Sequence, residues 1–124
     1  MEFKLLICVV SLLYGIQECI GGNDCASVGG RLVCDRNPES VRGQEVQMWD
    51  ADWFLKGGDD LMGSTWADDN GQFYLSGCND DGWGDPEPYL WIEHYCGVSR
   101  DGSPIKQKVD FRNGDLSKVI NLIS

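Results

Sequence analysis

The sequence predicts an all-β sandwich of about seven to eight short strands, stabilised by disulfides. Three observations lead there. Apolar residues recur at every second position in several short runs, and clusters of Gly, Asp, Asn and Pro separate those runs. No stretch carries a long amphipathic helix pattern. Six cysteines in 124 residues supply the bridges that a small extracellular domain uses to supplement a modest core.

Residues 1–21 stand apart. Lys4 precedes the apolar run Leu5–Leu13, which is too short to span a bilayer and has the charged start and apolar length of a secretory signal peptide. Cleavage after Gly15 leaves five cysteines, an odd number; cleavage after Gly21 leaves four. The second is preferred, because an unpaired thiol is a liability outside the cell. One secreted domain, residues 22–124, then remains, with no transmembrane segment.

The strands follow in order. Val28–Cys34 places Val28, Leu32 and Cys34 on one face. Asp35–Gly43 is a loop of turn formers. Gln44–Trp53 directs Val46, Met48 and Asp50 inward, with Glu45, Gln47 and Trp49 outward. Phe54–Asp60 is loop chemistry, long enough to cross between sheets. Leu61–Ala67 is a weaker strand, interrupted by Gly63. Asp68–Gly71 then predicts a tight hairpin, because Asn-Gly tolerates the positive φ such a turn requires. In Gln72–Gly77, Phe73 and Leu75 face the core. Asn79–Pro88 is an acidic loop in which Trp83 sits between two glycines. Tyr89–Cys96 is the longest strand-like run after the leader; Leu90, Ile92, His94 and Cys96 share its inner face. Ile105–Phe111 and Lys118–Ile123 complete the set.

The inward faces suggest pairing Cys34 with Cys96, which leaves Cys25 with Cys78. This is one of three connectivities open to four cysteines, and Cys25–Cys34 remains a rival.

A formal net charge of −10 argues against nucleic acid and against electrostatic docking on anionic lipid. Removing Glu2, Lys4 and Glu18 with the leader changes that by a single charge, so the acidity belongs to the domain.

Several segments, in this order, resemble the nematode transthyretin-like family. They are Gly30-Arg31-Leu32-Val33-Cys34, Val46-x-Met48-x-Asp50-x-Asp52, Asp59-Asp60-Leu61-Met62, Asp68-Asp69-Asn70-Gly71-Gln72-Phe73-x-Leu75-x-Gly77, Pro88 to Cys96, and Lys106-Gln107-Lys108-Val109. The resemblance runs from about Val28 to the C-terminus. It implies a secreted, prealbumin-type β-sandwich and a Cys34–Cys96 bridge, and it names no ligand. Cys25, Cys78 and the loop 79–88 depart from the family pattern, as does Asp110–Gly114, where the family carries an Ile-Pro-x-x-Tyr run.

The resemblance also bears on catalysis, since the transthyretin fold serves hydroxyisourate hydrolases. Those use more than one histidine, an arginine and a Tyr-Arg-Gly-Ser-type C-terminus. Here His94 is the single histidine and the chain ends Asn121-Leu122-Ile123-Ser124. No Gly-x-Ser-x-Gly motif or metal-spaced histidine pair is present. A non-enzymatic protein without a cofactor is expected.

His94 reads as a hydrogen-bonded core histidine, with Asp50 as its candidate partner. Asp59 and Asp60 belong to an acidic set between Asp50 and Glu87 that gives calcium a weak claim, with no EF-hand spacing to support it. The candidate contact residues are Trp83, Trp53, Asp80, Asp81 and Asp85, since aromatic anchors flanked by acidic groups suit recognition. The bland reading of Trp83 is a ring folded back over a sheet edge. Trp91 lies out of register with the aliphatic face, which allows a homodimer contact. The expected activity is binding to an extracellular protein or cell-surface component. The alternative is carriage of a small apolar or lipid ligand, including a membrane lipid headgroup.

Overall fold

The computed structural model describes residues 7–11, 16–20, 25–51, 58–79, 87–97 and 100–124, the first two segments as backbone alone. Within the expected leader, Ile7–Ser11 (β1) and Ile16–Ile20 (β2) form a separate antiparallel pair, with Cys8 opposite Cys19. The other seven described strands build two sheets. β3 (Cys25–Val33), β6 (Gln72–Cys78) and β9 (Asp115–Asn121) form one, in the order β6-β3-β9. β4 (Glu45–Asp50), β5 (Asp60–Trp66), β7 (Pro88–His94) and β8 (Ile105–Val109) form the other, in the order β5-β4-β7-β8. All ladders are antiparallel except β3 with β9.

Period-two alternation fills the space between the sheets. Val28 and Leu32 from β3 meet Val46 and Met48 from β4, Phe73 and Leu75 from β6, Leu90 and Ile92 from β7, and Ile120 and Leu122 from the last strand and its end. Fully burying each such side chain is worth about 1.5–3 kcal/mol. The positions from β3, β4, β6 and β7 match the inward faces read from the sequence. Val109 and Phe111 are only partly buried, because β8 is the edge of its sheet.

Two connections differ from expectation. The segment after β4 does not cross between sheets, because β4 and β5 are antiparallel neighbours. The crossing happens instead at Ala67–Gly71. The turn there is as its residues suggest: Gly71 has φ 81°, and the Asp68 carboxylate accepts from the N–H of Asn70 and of Gln72, both at 2.9 Å. It nevertheless does not close a hairpin, because β5 and β6 lie in different sheets. The Gly71 carbonyl accepts from Leu32 N–H at 2.8 Å, which fastens the corner to β3. Within the expected loop 35–43, Pro38–Val41 forms a short 3-10 turn that drives Val41 into the core.

Gly30 marks the closest backbone approach. A Cβ there would lie 1.8 Å from the Lys118 carbonyl oxygen on β9, beside the register shift between Val28 and Gly30. The obstacle is main chain, so no rotamer change relieves it. Gly30→Ala is expected to destabilise the domain by about 2–3 kcal/mol, the range of overpacked cores. Urea unfolding of the variant measures this, and an unchanged midpoint would show that β9 can shift freely.

Candidate binding pole

Asp50 is the last residue of β4 and continues the inward alternation of Val46 and Met48, so the strand carries a carboxylate into a site only 8% exposed. A charge there must be matched by donors. Asn79, equally buried, donates its side-chain N–H to Asp50 Oδ2. The Glu87 N–H donates to Asp50 Oδ1 at 2.7 Å, and Ala51 N–H donates to the Glu87 carbonyl at 3.1 Å. Asn79 and Glu87 bracket residues 80–86, so one carboxylate fixes both ends of that segment.

A second tie lies alongside. The Tyr89 hydroxyl donates to Asp59, which follows residues 52–57. Burial, together with that bond and the Asp59 charge, pushes the Tyr89 pKa up to about 12. Lys108 Nζ lies 4.5 Å from the ring centroid. By register Asp50 stands opposite both Asp60 and Pro88. The described residues that flank 52–57 and 80–86 therefore lie at the same end of the sandwich. Trp53, Asp80, Asp81, Trp83 and Asp85 lie outside the described residues. Among the described residues no three His, Cys, Asp or Glu side chains converge to hold a metal ion, and Asp59 is engaged by Tyr89.

The expected His94–Asp50 pair does not form. Both side chains point inward, but they lie at opposite ends of the sheet. His94 is fully buried. Its Nδ1 accepts from Cys96 N–H at 3.1 Å, which leaves the ring proton on Nε2 to be donated to Gln107 Oε1 at 2.9 Å. Gln107 then reaches the other sheet: Oε1 accepts from Ile123 N–H at 3.0 Å, and Nε2 donates to the Asn121 carbonyl at 3.2 Å. Burial lowers the His94 pKa below its ordinary 6.5, opposed by the Gln107 bond. Sequence reasoning missed Gln107 and Asn79. Each sits in a polar stretch that reads as solvated, and only the fold brings it to its partner.

The disulfides hold the two ends. Cys34–Cys96 joins the sheets beside His94, with each cysteine 2% exposed. Cys25–Cys78 staples β3 to β6 at directly opposite positions, next to Asn79 and at the exposed surface.

A transthyretin-like family model matches residues 29–112. The chain belongs to the transthyretin-like family. Two relatives in Caenorhabditis elegans are similar to it. Transthyretin-like protein 2 is 38% identical over 96 residues, covering 74% of this chain and 61% of the relative. Transthyretin-like protein 5 is 34% identical over 96 residues, covering 77% and 64%. The chain thus spans less than two thirds of the length of either. A crystal structure of a 9R-lipoxygenase from Cyanothece shares the sandwich fold, with a TM-score of 0.51 and 16% identity over 80% of this chain and 16% of that one. At that identity the likeness concerns fold alone. Among the described residues no helix is long and apolar enough to cross a membrane.

Proposed function

We propose that this transthyretin-like domain is secreted and acts by binding rather than catalysis. It contacts an extracellular protein or cell-surface component through the acidic, Trp-bearing segments 53–60 and 79–88. The observation that carries this reading is the Asp50 network. A buried carboxylate spent on tying down both ends of one loop, beside the Asp59–Tyr89 bond that holds the next, is the support a recognition surface on loops requires. The segments carry Trp53 and Trp83 as aromatic anchors, with Asp80, Asp81 and Asp85 to set orientation and on-rate.

Binding of labelled protein to intact cell surfaces, with photo-cross-linking from position 83, tests this. Trp83→Ala is expected to weaken binding at least about tenfold with the unfolding midpoint unchanged. Equal binding by the variant would count against the loop assignment.

A second reading, carriage of a small apolar or lipid ligand, draws on a shallow cavity of about 250 Å³ at the opposite end. Leu32, Val33, Pro38 and Val41 give it apolar walls, and Arg31 and Asn70 stand at its rim. Native mass spectrometry of freshly secreted protein distinguishes the two readings, since a carrier retains its ligand and an empty protein sinks that reading.

A further inference from the structure

The four-stranded sheet turns one face to the core and the other to solvent, and the solvent face is rich in aromatic rings. Register places Trp66 opposite Glu45, Ser64 opposite Gln47 and Leu61 opposite Trp49. Across the next ladder Gln47 meets Trp91 and Trp49 meets Tyr89. Beyond that Trp91 meets Lys108 and Glu93 meets Lys106. Three of the five tryptophans in the chain therefore share one outer face, and among the described residues the buried core contains no tryptophan.

The indole N–H groups at the centre of this face are already used. Trp49 Nε1 donates to Gln47 Oε1 at 3.0 Å, and Trp91 Nε1 donates to Glu93 Oε2 at 2.8 Å. Each acceptor stands two residues along the same strand, so neither indole has its N–H left to offer a ligand, and what remains of each ring for contact is carbon surface. Trp66 is 68% exposed and Leu61 52%. Tyr89 is not a contact surface, because its hydroxyl goes to Asp59 and Lys108 covers its ring.

The charged groups around the rings nearly cancel. Glu45, Glu93 and Asp59, the last held by the Tyr89 hydroxyl, are set against Lys106 and Lys108, with Gln47 and Ser64 between them, so this face is close to neutral on a chain of net charge −10. A polyanion gains nothing from such a rim, and so small an acidic excess offers a polycation little. A neutral ligand with an apolar face and an edge of groups that both donate and accept does gain. A pyranose ring has that form: its C–H face suits the electron-rich face of an indole, and its hydroxyls suit mixed donors and acceptors. With strands about 4.8 Å apart and same-face rows about 6.8 Å apart, Trp49 and Trp91 are roughly 8 Å apart and Trp91 and Trp66 roughly 12 Å. That span accommodates several linked sugars.

We infer that the solvent face of the β5-β4-β7-β8 sheet is a stacking platform for a neutral oligosaccharide, with Trp49, Trp91 and Trp66 as its contacts. This site lies on the sheet's face rather than on the loops, and its Trp49 end adjoins the loop pole at Tyr89.

The test presents the full chain to an array of neutral oligosaccharides that includes β-1,4-linked hexamers of glucose and of N-acetylglucosamine. Tryptophan fluorescence and calorimetry then follow the chains it retains. Wild type is expected to bind a neutral chain with quenching and with an affinity that added salt leaves unchanged. Trp91→Ala and Trp49→Ala should each weaken binding at least about tenfold. Trp66→Ala, at a position too exposed to endanger folding, should weaken it roughly threefold. Trp83→Ala should bind the sugar as wild type does, which separates this site from the loops. Four outcomes would overturn the inference: retention of no neutral chain, retention only of sulfated or uronate chains in a salt-sensitive manner, full affinity in all three face variants, or a wild-type dimer that Trp91→Ala converts to monomer, which would assign the face to a second copy.

Discussion

Replacing Cys34 and Cys96 together by alanine is expected to remove about 4 kcal/mol of stability, from loop closure in the unfolded chain alone. The bridge spans 62 residues, and the Cys25–Cys78 bridge spans 53, so the chain-entropy argument gives the two nearly equal weight. Their surroundings differ. Cys34 and Cys96 are 2% exposed and join the two sheets, whereas Cys25 and Cys78 are exposed and join neighbouring strands of one sheet. The inter-sheet variant therefore also loses buried sulfur from the core, and should fall below the Cys25→Ala/Cys78→Ala variant by about a further 1–2 kcal/mol. Against a typical net stability of roughly 5–15 kcal/mol, either loss is large. Urea unfolding of the two double variants measures both quantities. Equal midpoints would mean that the buried bridge acts through the unfolded chain alone. Mild reduction of the folded protein should open Cys25–Cys78 first, because access limits the attacking thiolate.

The second large effect belongs to His94. His94→Ala should destabilise the domain by about 3–5 kcal/mol, since it leaves a cavity, removes the acceptor of the Cys96 N–H and frees the Gln107 side chain that spans the sheets. Acid should act on the same network. The folded pKa is depressed by burial, so the unfolded chain takes up the proton first. The contribution of neutral His94 is thus complete above the unfolded value of 6.5 and is lost as pH falls below it and through the folded value. The slope cannot exceed about 1.4 kcal/mol per pH unit for one proton. His94 is the single histidine, so the loss between neutrality and the carboxylate range is its own signature. His94→Gln should be less stable at neutral pH and flat across that window. An identical slope in the variant would assign the proton elsewhere.

These two sites show what the residues disclose and what they leave to the fold. Period-two alternation reports which face a side chain takes, and for Leu90, Ile92, His94 and Cys96 that was enough to place them inside. It does not report height along the sheet. Asp50 and His94 share an inner face, which made them plausible partners, yet Asp50 lies at the loop pole and His94 at the other end. Turn chemistry is equally local. Asp68, Asn70 and Gly71 specify the bend, but which strand the chain joins afterwards is decided by packing between sheets, so the expected hairpin became a crossing. Gln107 and Asn79 carry no local sign of burial, because their partners are distant in sequence. Trp49 and Trp91 were each visible as turned away from the aliphatic face; the face they share with Trp66 required the register of two ladders.

The two bridges interleave, with Cys34 falling inside the loop closed by Cys25–Cys78 and Cys96 falling outside it. A protease that nicks the backbone once between Cys25 and Cys96 therefore releases nothing. A cut in residues 52–57 leaves Cys25 and Cys34 on one piece and Cys78 and Cys96 on the other, joined twice. A cut in residues 80–86 leaves the pieces joined through Cys34–Cys96. Both segments proposed for recognition can be clipped while the sandwich stays in one piece, and the damage becomes visible as fragments only once the sample is reduced.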